Sequence, residues 1–356
     1  MYDQLDLAIN NIKETEEELT EEYIPQRKYL KSLIIESNST LEDIKTEDNI
    51  QFIPTREDSI RIIKIIRNDK TTYSYLDLLD SRFWILYSLD TSIDIKKEVK
   101  GVIEKNNSRL DYTWLSSDSL QVLSCNYQKT SFSMRFYNSF SNENIPLKKL
   151  SIRLWAEDSE EIIKNLFNNE YIGLGACLSN VESKQTNNGK FVKTRLSMDG
   201  SLNVSKGNSI NELLEYQQKI IEGHYKPIIN KIESEYATGY EINDGINVKG
   251  KILSIKIKID DIEKFSKNLL KGVYPFRFVG FANKITEDDY LLNVLDTHTY
   301  NRFDLEIFHD EILINLPKDT CGNCVTRLFA LCQERIDPKA DLRGDEGSII
   351  KKNGWG

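Results

Sequence analysis

The sequence predicts an α+β fold in which a helical N-terminal region is followed by related units of mainly antiparallel sheet and helix. Two observations lead to this prediction. Apolar residues near the N-terminus recur at alternating spacings of three and four, which is typical of an amphipathic helix. Further along, residues 150–180 align without a gap with residues 253–283, and 10 of the 31 aligned positions are identical. Because about two identities would arise by chance, the match indicates an internal repeat.

Composition limits the classes of protein to consider. The 356 residues, 39% of them hydrophobic and 29% charged, are enough for two or three domains with substantial cores. A net charge of −9 argues against coating nucleic acid through the overall field, but it allows a local basic face. No run of 18 apolar residues is present, so we expect no membrane partner. The acidic N-terminus without a signal segment and the odd number of five cysteines predict a cytoplasmic protein with free thiols.

The first region, residues 1–80, is predicted to be mainly helical. Its first helix carries a heptad seam with one polar member, Glu16, and Pro25 ends it. A second helix is predicted over residues 27–36. A third follows the capping pattern at residues 55–58, with its apolar residues between 60 and 66. Three heptads are too short to be stable alone, so the seam either packs on its own domain or binds a partner. The partner-binding candidates are Tyr2, Leu5, Ile9, Ile12, Leu19 and Tyr23.

Residues 81–148 are predicted to form a small α/β unit. The aromatic, apolar run at residues 83–89 is typical of a strand, and a helix is expected over residues 92–105. Residues 110–115 and 131–137 alternate between apolar and polar side chains, as strands do. This segment is either an independent unit or a diverged third copy of the repeat.

The two copies of the repeat span residues 149–236 and 249–338. Each is predicted to have the order β-α-β-β-β-α, and each helix shows one apolar stripe, so a sheet with its helices on one face satisfies the pattern. Asp199-Gly200 between two strand-like runs predicts a hairpin. The groove between the two units is the natural position for a ligand or partner. Residues 339–356 are polar and contain glycine, which predicts a flexible tail.

Three cysteines near the C-terminus form a candidate metal site. Cys321 and Cys324 have the spacing of a zinc knuckle, and Cys332, with His309 or His298, would complete four ligands. The alternative is that these cysteines are small buried apolar residues. The corresponding corner of the other copy has no thiol, which favours this alternative. We therefore expect no cofactor, with zinc as the exception to test.

A second candidate site is acidic. Two neighbouring predicted strands carry carboxylates and imidazoles, and alternate residues on a strand share a face. Such a group can bind Mg²⁺ or act as acid and base, although the solvated face of a hairpin has the same composition. The candidate catalytic residues are Asp296, Asp304, Glu306 and His309, with His298 beside them.

Two predicted strands combine basic and aromatic side chains. A sheet face of this kind can hold single-stranded nucleic acid, since bases stack on aromatic rings and cations pair with phosphates. Core packing is the commoner reason for aromatic residues on strands. The candidate nucleic-acid-binding residues are Lys129, Arg135, Tyr137, Lys148, Lys149, Arg153 and Trp155.

From the sequence we expect a non-catalytic interaction or scaffold subunit of a larger bacterial assembly. A protein partner or self-association would use the N-terminal seam and the groove between units. The alternative is a subunit that binds or processes nucleic acid, for example in an antiviral defence system, and the third hypothesis is a metal-dependent hydrolase. The abundance of Ile, Lys and Asn is typical of an AT-rich bacterial genome.

Overall fold

The structure is a computed structural model that describes residues 1–11, 29–67, 70–90, 100–137, 149–155, 160–168, 177–242 and 246–351. It is dominated by two large sheets. The strands of the first sheet are β1 (Lys31–Ser37), β2 (Ile50–Pro54), β3 (Ile60–Arg67), β4 (Lys70–Asp77), β5 (Phe83–Ser88), β6 (Leu110–Tyr112), β7 (Gln128–Tyr137), β8 (Lys149–Trp155), β9 (Cys177–Asn187), β10 (Lys190–Ser197) and β11 (Ser201–Gly207). The second sheet contains β12 (Ala237–Ile242), β13 (Ile246–Lys249), β14 (Leu253–Lys256), β15 (Phe278–Lys284), β16 (Tyr290–Asp296), β17 (Arg302–Ile307), β18 (Glu311–Pro317), β19 (Asp341–Gly344) and β20 (Gly347–Ser348).

Helices pack on and between the sheets. They are α1 (Tyr2–Asn11), α2 (Ser117–Ser124), α3 (Glu160–Asn168), α4 (Ile210–Ile220), α5 (Lys226–Lys231), α6 (Ile262–Leu269) and α7 (Asn323–Arg335), and residues 100–105 are also helical. The π-helical turns Ile221–Tyr225 and Ile232–Tyr236 make α4 and α5 one continuous helical segment. Two helices begin at side-chain caps: Ser116 accepts from the Ser119 N–H in α2, and Asp261 accepts from the Lys264 N–H in α6. None of the described helices is long and apolar enough to cross a membrane.

Strand pairing is antiparallel in almost every pair. The first sheet has the order β2-β3-β4-β5-β1-β11-β10-β9-β7-β8, and β6 also pairs with β1. The second sheet has the order β15-β16-β17-β18-β14-β19-β20. There, β12 pairs with β13 and, in parallel, with β18. The strands β1 and β14 are central, which explains why all seven residues of β1 are buried.

Two parts of the chain have the same strand topology. We call residues 31–112 the first unit and residues 253–344 the second unit. In each, a leading strand (β1 or β14) pairs with the last strand of a four-stranded meander (β2–β5 or β15–β18). A helical segment follows the meander, and the next strand, β6 or β19, pairs with the other side of the leading strand. The molecule is therefore built on an internal duplication of a sheet.

Helix α7 lies between the sheets. It follows β18 in the second unit and contacts β7 and β9 of the first sheet. Each of its residues from Asn323 to Gln333 is buried. A helix covered all round in this way needs an apolar surface without a polar stripe, and its sequence NCVTRLFALCQER is apolar on several sides. The buried apolar side chains of both sheets form one continuous core around it.

The predicted fold class is wrong, because the structure is mostly β and the described part of residues 1–80 holds no α-helix other than α1. The segments predicted as the second and third helices are the strands β1 and β3. Both are rich in Ile, whose branched Cβ favours the pleated strand over the helix. Ile60, Ile63 and Ile66 have helical spacing but do not share a buried face. Ile60 is buried, whereas Ile66 is exposed.

The sequence repeat at residues 150–180 and 253–283 does not correspond to the structural duplication. The copies begin with β8 and β14, but β8 is an edge strand that pairs with β7, whereas β14 is central and pairs with β18 and β19. The structural counterpart of β14 is β1. The predicted tail also differs, since β19 and β20 lie within residues 339–351. The strands predicted at residues 83–89 and 131–137 are confirmed as β5 and part of β7, and the Asp199-Gly200 hairpin joins β10 to β11.

Candidate functional sites

The outer face of β8-β7-β9-β10-β11 is basic. Along β10 every second residue is buried against the core, and the residues between them are partly exposed on the opposite face. We call this opposite face the basic face. Its cations are Arg135 on β7, Arg153 on β8, Lys184 on β9, Lys193 and Arg195 on β10, and Lys206 on β11. The strand register places them side by side: Lys193 is paired with both Lys184 and Lys206.

Two aromatic rings lie on the basic face, each beneath a cation. The Arg153 guanidinium carbon lies 4.4 Å from the centre of the Trp155 ring, and the Lys184 Nζ lies 4.9 Å from the centre of the Phe191 ring. Trp155 is 37% exposed at the edge of the sheet. Cations at these distances are attracted to the ring faces and hold them in fixed orientations. The face therefore presents both positive charge and flat apolar surface.

Glu182 is the acidic side chain among the outward residues of these described strands. It is 3% exposed, and it accepts hydrogen bonds from Thr130 Oγ1 at 3.1 Å and Ser131 Oγ at 3.3 Å. Lys193 lies 3.3 Å and Arg195 3.4 Å from its carboxylate. Burial raises the pKa of Glu182, but the charges of these two cations outweigh it and the net shift is downward. One buried carboxylate thus orients two of the six cations without neutralising the face.

The candidate nucleic-acid-binding residues are divided by the structure. Arg135, Arg153 and Trp155 lie on the basic face, while Lys129 is 2% exposed and so is not available to a ligand. Lys148 and the side chains of Tyr137 and Lys149 lie outside the described residues. The prediction missed the four cations Lys184, Lys193, Arg195 and Lys206, although the alternation of KFVKTRLS in β10 carries the signal.

A second site is a buried polar network between the two units, which we call the polar centre. The first unit contributes Glu36, Arg82 and Asp111, and the second unit contributes Arg277, Asp296, His298, Cys321 and Arg327. Glu233, from the second π-helical turn, closes it. Burying this many charges requires that they be paired. Three of the pairs join an acid of the first unit to a base of the second: Glu36–His298, Asp111–Arg277 and Asp111–Arg327.

Arg327 joins the two units. Its guanidinium is fully buried and donates to Asp111 of the first unit and to Asp296 of the second. Its Nε donates to the Phe276 carbonyl oxygen at 3.0 Å. Burial raises the pKa of Asp111, but the charges of Arg327 and Arg277 outweigh it and hold this pKa at about 2. Asp111 is therefore charged and fixes the position of α7.

His298 and Glu36 form the ion pair at the other side of the polar centre. The His298 Nε2 lies 2.7 Å from Glu36 Oε2, and both side chains are 0% exposed. Burial lowers the pKa of His298, but the charge of Glu36 and the hydrogen bond to it outweigh burial and raise it. Burial raises the pKa of Glu36, and His298 and Arg82 together outweigh it and lower it. Each side chain of the pair therefore favours the charged form of the other.

The acidic candidate cluster is split by the sheet. Asp296 lies on the buried face of β16 within the polar centre. Asp304 lies opposite the exposed Asn293, which donates to it at 2.8 Å, so Asp304 and Glu306 occupy the solvent face of β17. His309 contacts the Ile259 carbonyl oxygen at 2.7 Å and Asp288 at 3.2 Å. The structure does not bring these four candidates into one catalytic site.

The cysteine candidates are also separated. Cys324 and Cys332 are buried within α7, where burial raises the pKa of both thiols, as expected for apolar core residues. Cys321 instead lies in the polar centre, with its Sγ 3.4 Å from Glu36 Oε1. Sequence reasoning missed Glu36, which falls within a segment predicted to be helical. No local pattern could have indicated this contact, because 285 residues separate the partners.

The N-terminal seam packs on its own chain. Leu5 and Ile9 are 1% and 0% exposed, and α1 contacts α4 and β11. Tyr2 donates to Asp77 Oδ2 at 3.1 Å. Ile12, Leu19 and Tyr23 lie outside the described residues. Leu5 and Ile9 are therefore covered within the molecule, whereas Tyr2 is 39% exposed.

Comparison with known proteins places the chain in a family. A protein of Methanocaldococcus jannaschii, MJECL33, is 25% identical over an alignment of 365 positions. The alignment covers 89% of this chain and 87% of the M. jannaschii protein. The family model described as "MJECL33-like protein" matches residues 1–350, which is nearly the whole chain. The chain therefore belongs to the MJECL33-like protein family.

Proposed function

We propose that this protein binds single-stranded nucleic acid across the basic face. The observation that carries the proposal is the charge pattern: six cations and one buried carboxylate alternate with core residues on adjacent strands. An exposed sheet with this charge is complementary to a phosphate backbone. Trp155 and Phe191 add flat surfaces on which unpaired bases can stack.

The net charge of the chain explains why binding would be confined to the basic face. The whole chain carries a net charge of −9, so its overall field repels nucleic acid. Binding then depends on short-range contacts with the basic face, and these weaken steeply as salt rises. Each phosphate neutralised on a single strand contributes about −0.7 to the slope of log K against log salt, so use of all six cations gives about −4.

Fluorescence anisotropy with a labelled oligothymidine of about 16 nucleotides tests the proposal. This length equals the larger binding sites of OB-fold proteins that bind single strands. We expect saturable binding at low salt that falls with added salt. Trp155→Ala should weaken binding about 10-fold, because stacking of one base contributes about 1–3 kcal/mol. Lys184→Ala combined with Lys193→Ala should weaken it and reduce the salt slope by about 1.4, at about 0.7 per phosphate.

The matched control is Lys251→Ala combined with Lys267→Ala. These two lysines are 48% and 71% exposed, lie outside the basic face, and form ion pairs with acids, so removing them changes the net charge by the same amount. Unchanged affinity in this control, with loss in the basic-face variants, supports the proposal. Absence of binding at low salt, or equal losses in both pairs, would refute it.

The scaffold function predicted from the N-terminal seam remains a prediction. Its described residues Leu5 and Ile9 are buried on the chain's own core, so we assign no partner to them. The basic face is the surface whose charge is complementary to a named ligand, the phosphate backbone of nucleic acid.

A further inference from the structure

Three donor side chains of different chemistry converge in the polar centre. The carboxylate of Glu36, the imidazole of His298 and the thiol of Cys321 each offer one ligand atom, and these atoms all lie within 4.8 Å of one another. All three residues are buried. Carboxylate oxygen, imidazole nitrogen and thiolate sulfur are the donors that Zn²⁺ binds in proteins. The donors come from β1, from the turn after β16 and from the turn between β18 and α7, so the two units must assemble to bring them together.

The imidazole is already oriented as a metal ligand. His298 Nδ1 lies 2.9 Å from the Asn107 carbonyl oxygen, which fixes the proton on Nδ1 and directs Nε2 at Glu36 and Cys321. Metal-binding histidines are oriented in this way, by a hydrogen bond from the nitrogen that does not bind the metal. This hydrogen bond is independent of the three donors and points to the same site.

Arg82 supports the other two donors from outside. Its Nε lies 3.1 Å from Glu36 Oε1 and its Nη2 lies 3.4 Å from Cys321 Sγ. Glu233 holds the guanidinium through two hydrogen bonds of 2.7 and 2.9 Å. Arg82 thus donates to both the carboxylate and the sulfur, as side chains that orient metal ligands do.

The charge of the polar centre matches a divalent cation. Its ion pairs connect four carboxylates with three guanidinium groups, which leaves one negative charge that a protonated His298 balances and a neutral His298 does not. The carboxylates are those of Glu36, Asp111, Glu233 and Asp296, and the guanidinium groups are those of Arg82, Arg277 and Arg327. The Cys321 thiolate would add a second negative charge. A dication bound to neutral His298 would therefore make the buried network neutral, which low-dielectric surroundings favour.

Solvent reaches the edge of this cluster. Asn38 is exposed, and its Nδ2 lies 3.0 Å from His298 Nε2 and 3.7 Å from Cys321 Sγ. The Arg82 side chain is 23% exposed. An ion can thus enter beside Asn38, and three protein ligands leave a fourth tetrahedral position for water or a substrate on that side.

We propose that Glu36, His298 and Cys321 bind one Zn²⁺ at the junction of the two units, with the fourth coordination position directed towards Asn38. The site is distinct from the basic face and does not depend on nucleic-acid binding. It also differs from a zinc knuckle, because Cys324 and Cys332 take no part. Three protein ligands and one exchangeable position are typical of a Lewis-acid site, whereas structural zinc sites are closed by four protein ligands.

Two measurements on the full chain test the proposal. The first is zinc content by plasma mass spectrometry after equilibration with Zn²⁺ and gel filtration, where we expect one zinc per chain. The second is zinc-edge X-ray absorption of the same wild-type sample. It should show one sulfur ligand at about 2.3 Å and lighter ligands at about 2.0–2.2 Å. Absence of stoichiometric zinc, or a shell with no sulfur or with two or more, would overturn the assignment.

Variants then identify the ligands. Cys321→Ser should lower zinc affinity by more than the 10- to 100-fold that loss of a hydrogen-bond partner of a metal ligand typically causes. The matched control is Cys332→Ser, which removes a buried thiol from the helix that follows Cys321 and should leave affinity unchanged. Equal affinity in the wild type and Cys321→Ser would refute the site. If Cys321→Ser does not fold, the wild-type absorption spectrum still decides between one sulfur ligand and any other number.

Discussion

Arg327 is the residue whose removal should cost most. It is fully buried between Asp111 and Asp296, which belong to different units. Arg327→Met keeps the apolar stem but leaves Asp296 buried without its guanidinium partner and Asp111 with Arg277 alone. Breaking a buried pair in this way typically destabilises a protein by about 3–5 kcal/mol. Urea unfolding followed by circular dichroism measures the loss.

The control for Arg327 is Arg343→Met on β19. The Arg343 side chain is 51% exposed and its Nε lies 2.7 Å from Asp341 Oδ2. Exposed pairs of this kind contribute about 0–1 kcal/mol, so this substitution should have little effect. Similar losses in both variants would show that burial of the polar centre is not what makes Arg327 important.

His224 should make the protein less stable in acid. It is buried in the first π-helical turn, where burial, and after it the charge of Lys219, lowers the pKa from 6.5 to about 4. The unfolded chain therefore binds a proton between pH 6.5 and 4 that the folded chain does not. The contribution of neutral His224 to the free energy of unfolding is fully present above pH 6.5 and is lost as pH falls towards 4. The loss is about 3 kcal/mol, at about 1.4 kcal/mol for each pH unit.

Unfolding free energies of the wild type and His224→Gln at pH 7 and pH 4.5 measure this contribution. The variant should lose less stability than the wild type on acidification. His309→Gln is the control, since the His309 side chain is 49% exposed and its hydrogen bond to the Ile259 carbonyl oxygen outweighs burial and raises its pKa. An acid sensitivity that is identical in the wild type and His224→Gln would contradict the assignment.

At the scale of elements, two glycine turns in neighbouring hairpins separate backbone strain from packing. Gly189 and Gly200 have φ angles of +79° and +74°, which side chains with a Cβ rarely adopt. A Cβ at Gly189 meets nothing within 4 Å, whereas one at Gly200 lies 2.9 Å from Thr113 Cβ and 3.2 Å from the Ile34 carbonyl oxygen. Gly189→Ala should therefore cost about 1–2 kcal/mol from strain alone.

Gly200→Ala should cost more than Gly189→Ala, by about 1–3 kcal/mol, because overpacking adds to the same strain. Thermal unfolding of both variants measures the difference. Equal costs at the two turns would show that the β10–β11 hairpin is not held against the first unit.

Elements that have a local cause were predictable from the sequence. The Asp199-Gly200 turn and the aromatic strand β5 were found because turn residues and β-propensity act locally. The strand β1 was mistaken for a helix because a central strand is buried on both faces and shows no alternation. Of the basic face, the sequence indicated only Arg135, Arg153 and Trp155. The register between β9, β10 and β11 decides which other side chains share this face, and the sequence does not show that register. The polar centre could not be found, because His298 and Glu36 are 262 residues apart and meet only when the two units pack.

At the scale of the molecule, the two units should unfold together. They share one apolar core, α7 of the second unit packs on β7 and β9, and the polar centre pairs charges across the junction. Independent domains usually meet through smaller and looser contacts. A shared core and a buried network predict one cooperative transition in spite of the chain length.

The tryptophans allow a direct test of this prediction. Trp84, Trp114 and Trp155 all lie in or beside the first sheet, and the second unit has none; the remaining Trp355 lies outside the described residues. Trp114 contacts the Tyr274 ring of the second unit, with ring centres 6.1 Å apart. In the double variant Trp114→Phe, Trp355→Phe, fluorescence therefore reports the first sheet, while far-ultraviolet circular dichroism reports both sheets. The two urea transitions should coincide in midpoint and slope, because unfolding either unit exposes α7 and leaves the charges of the polar centre unpaired. A circular dichroism transition that precedes or follows the fluorescence transition would show that the second unit unfolds independently, and the polar centre would then not couple the two units.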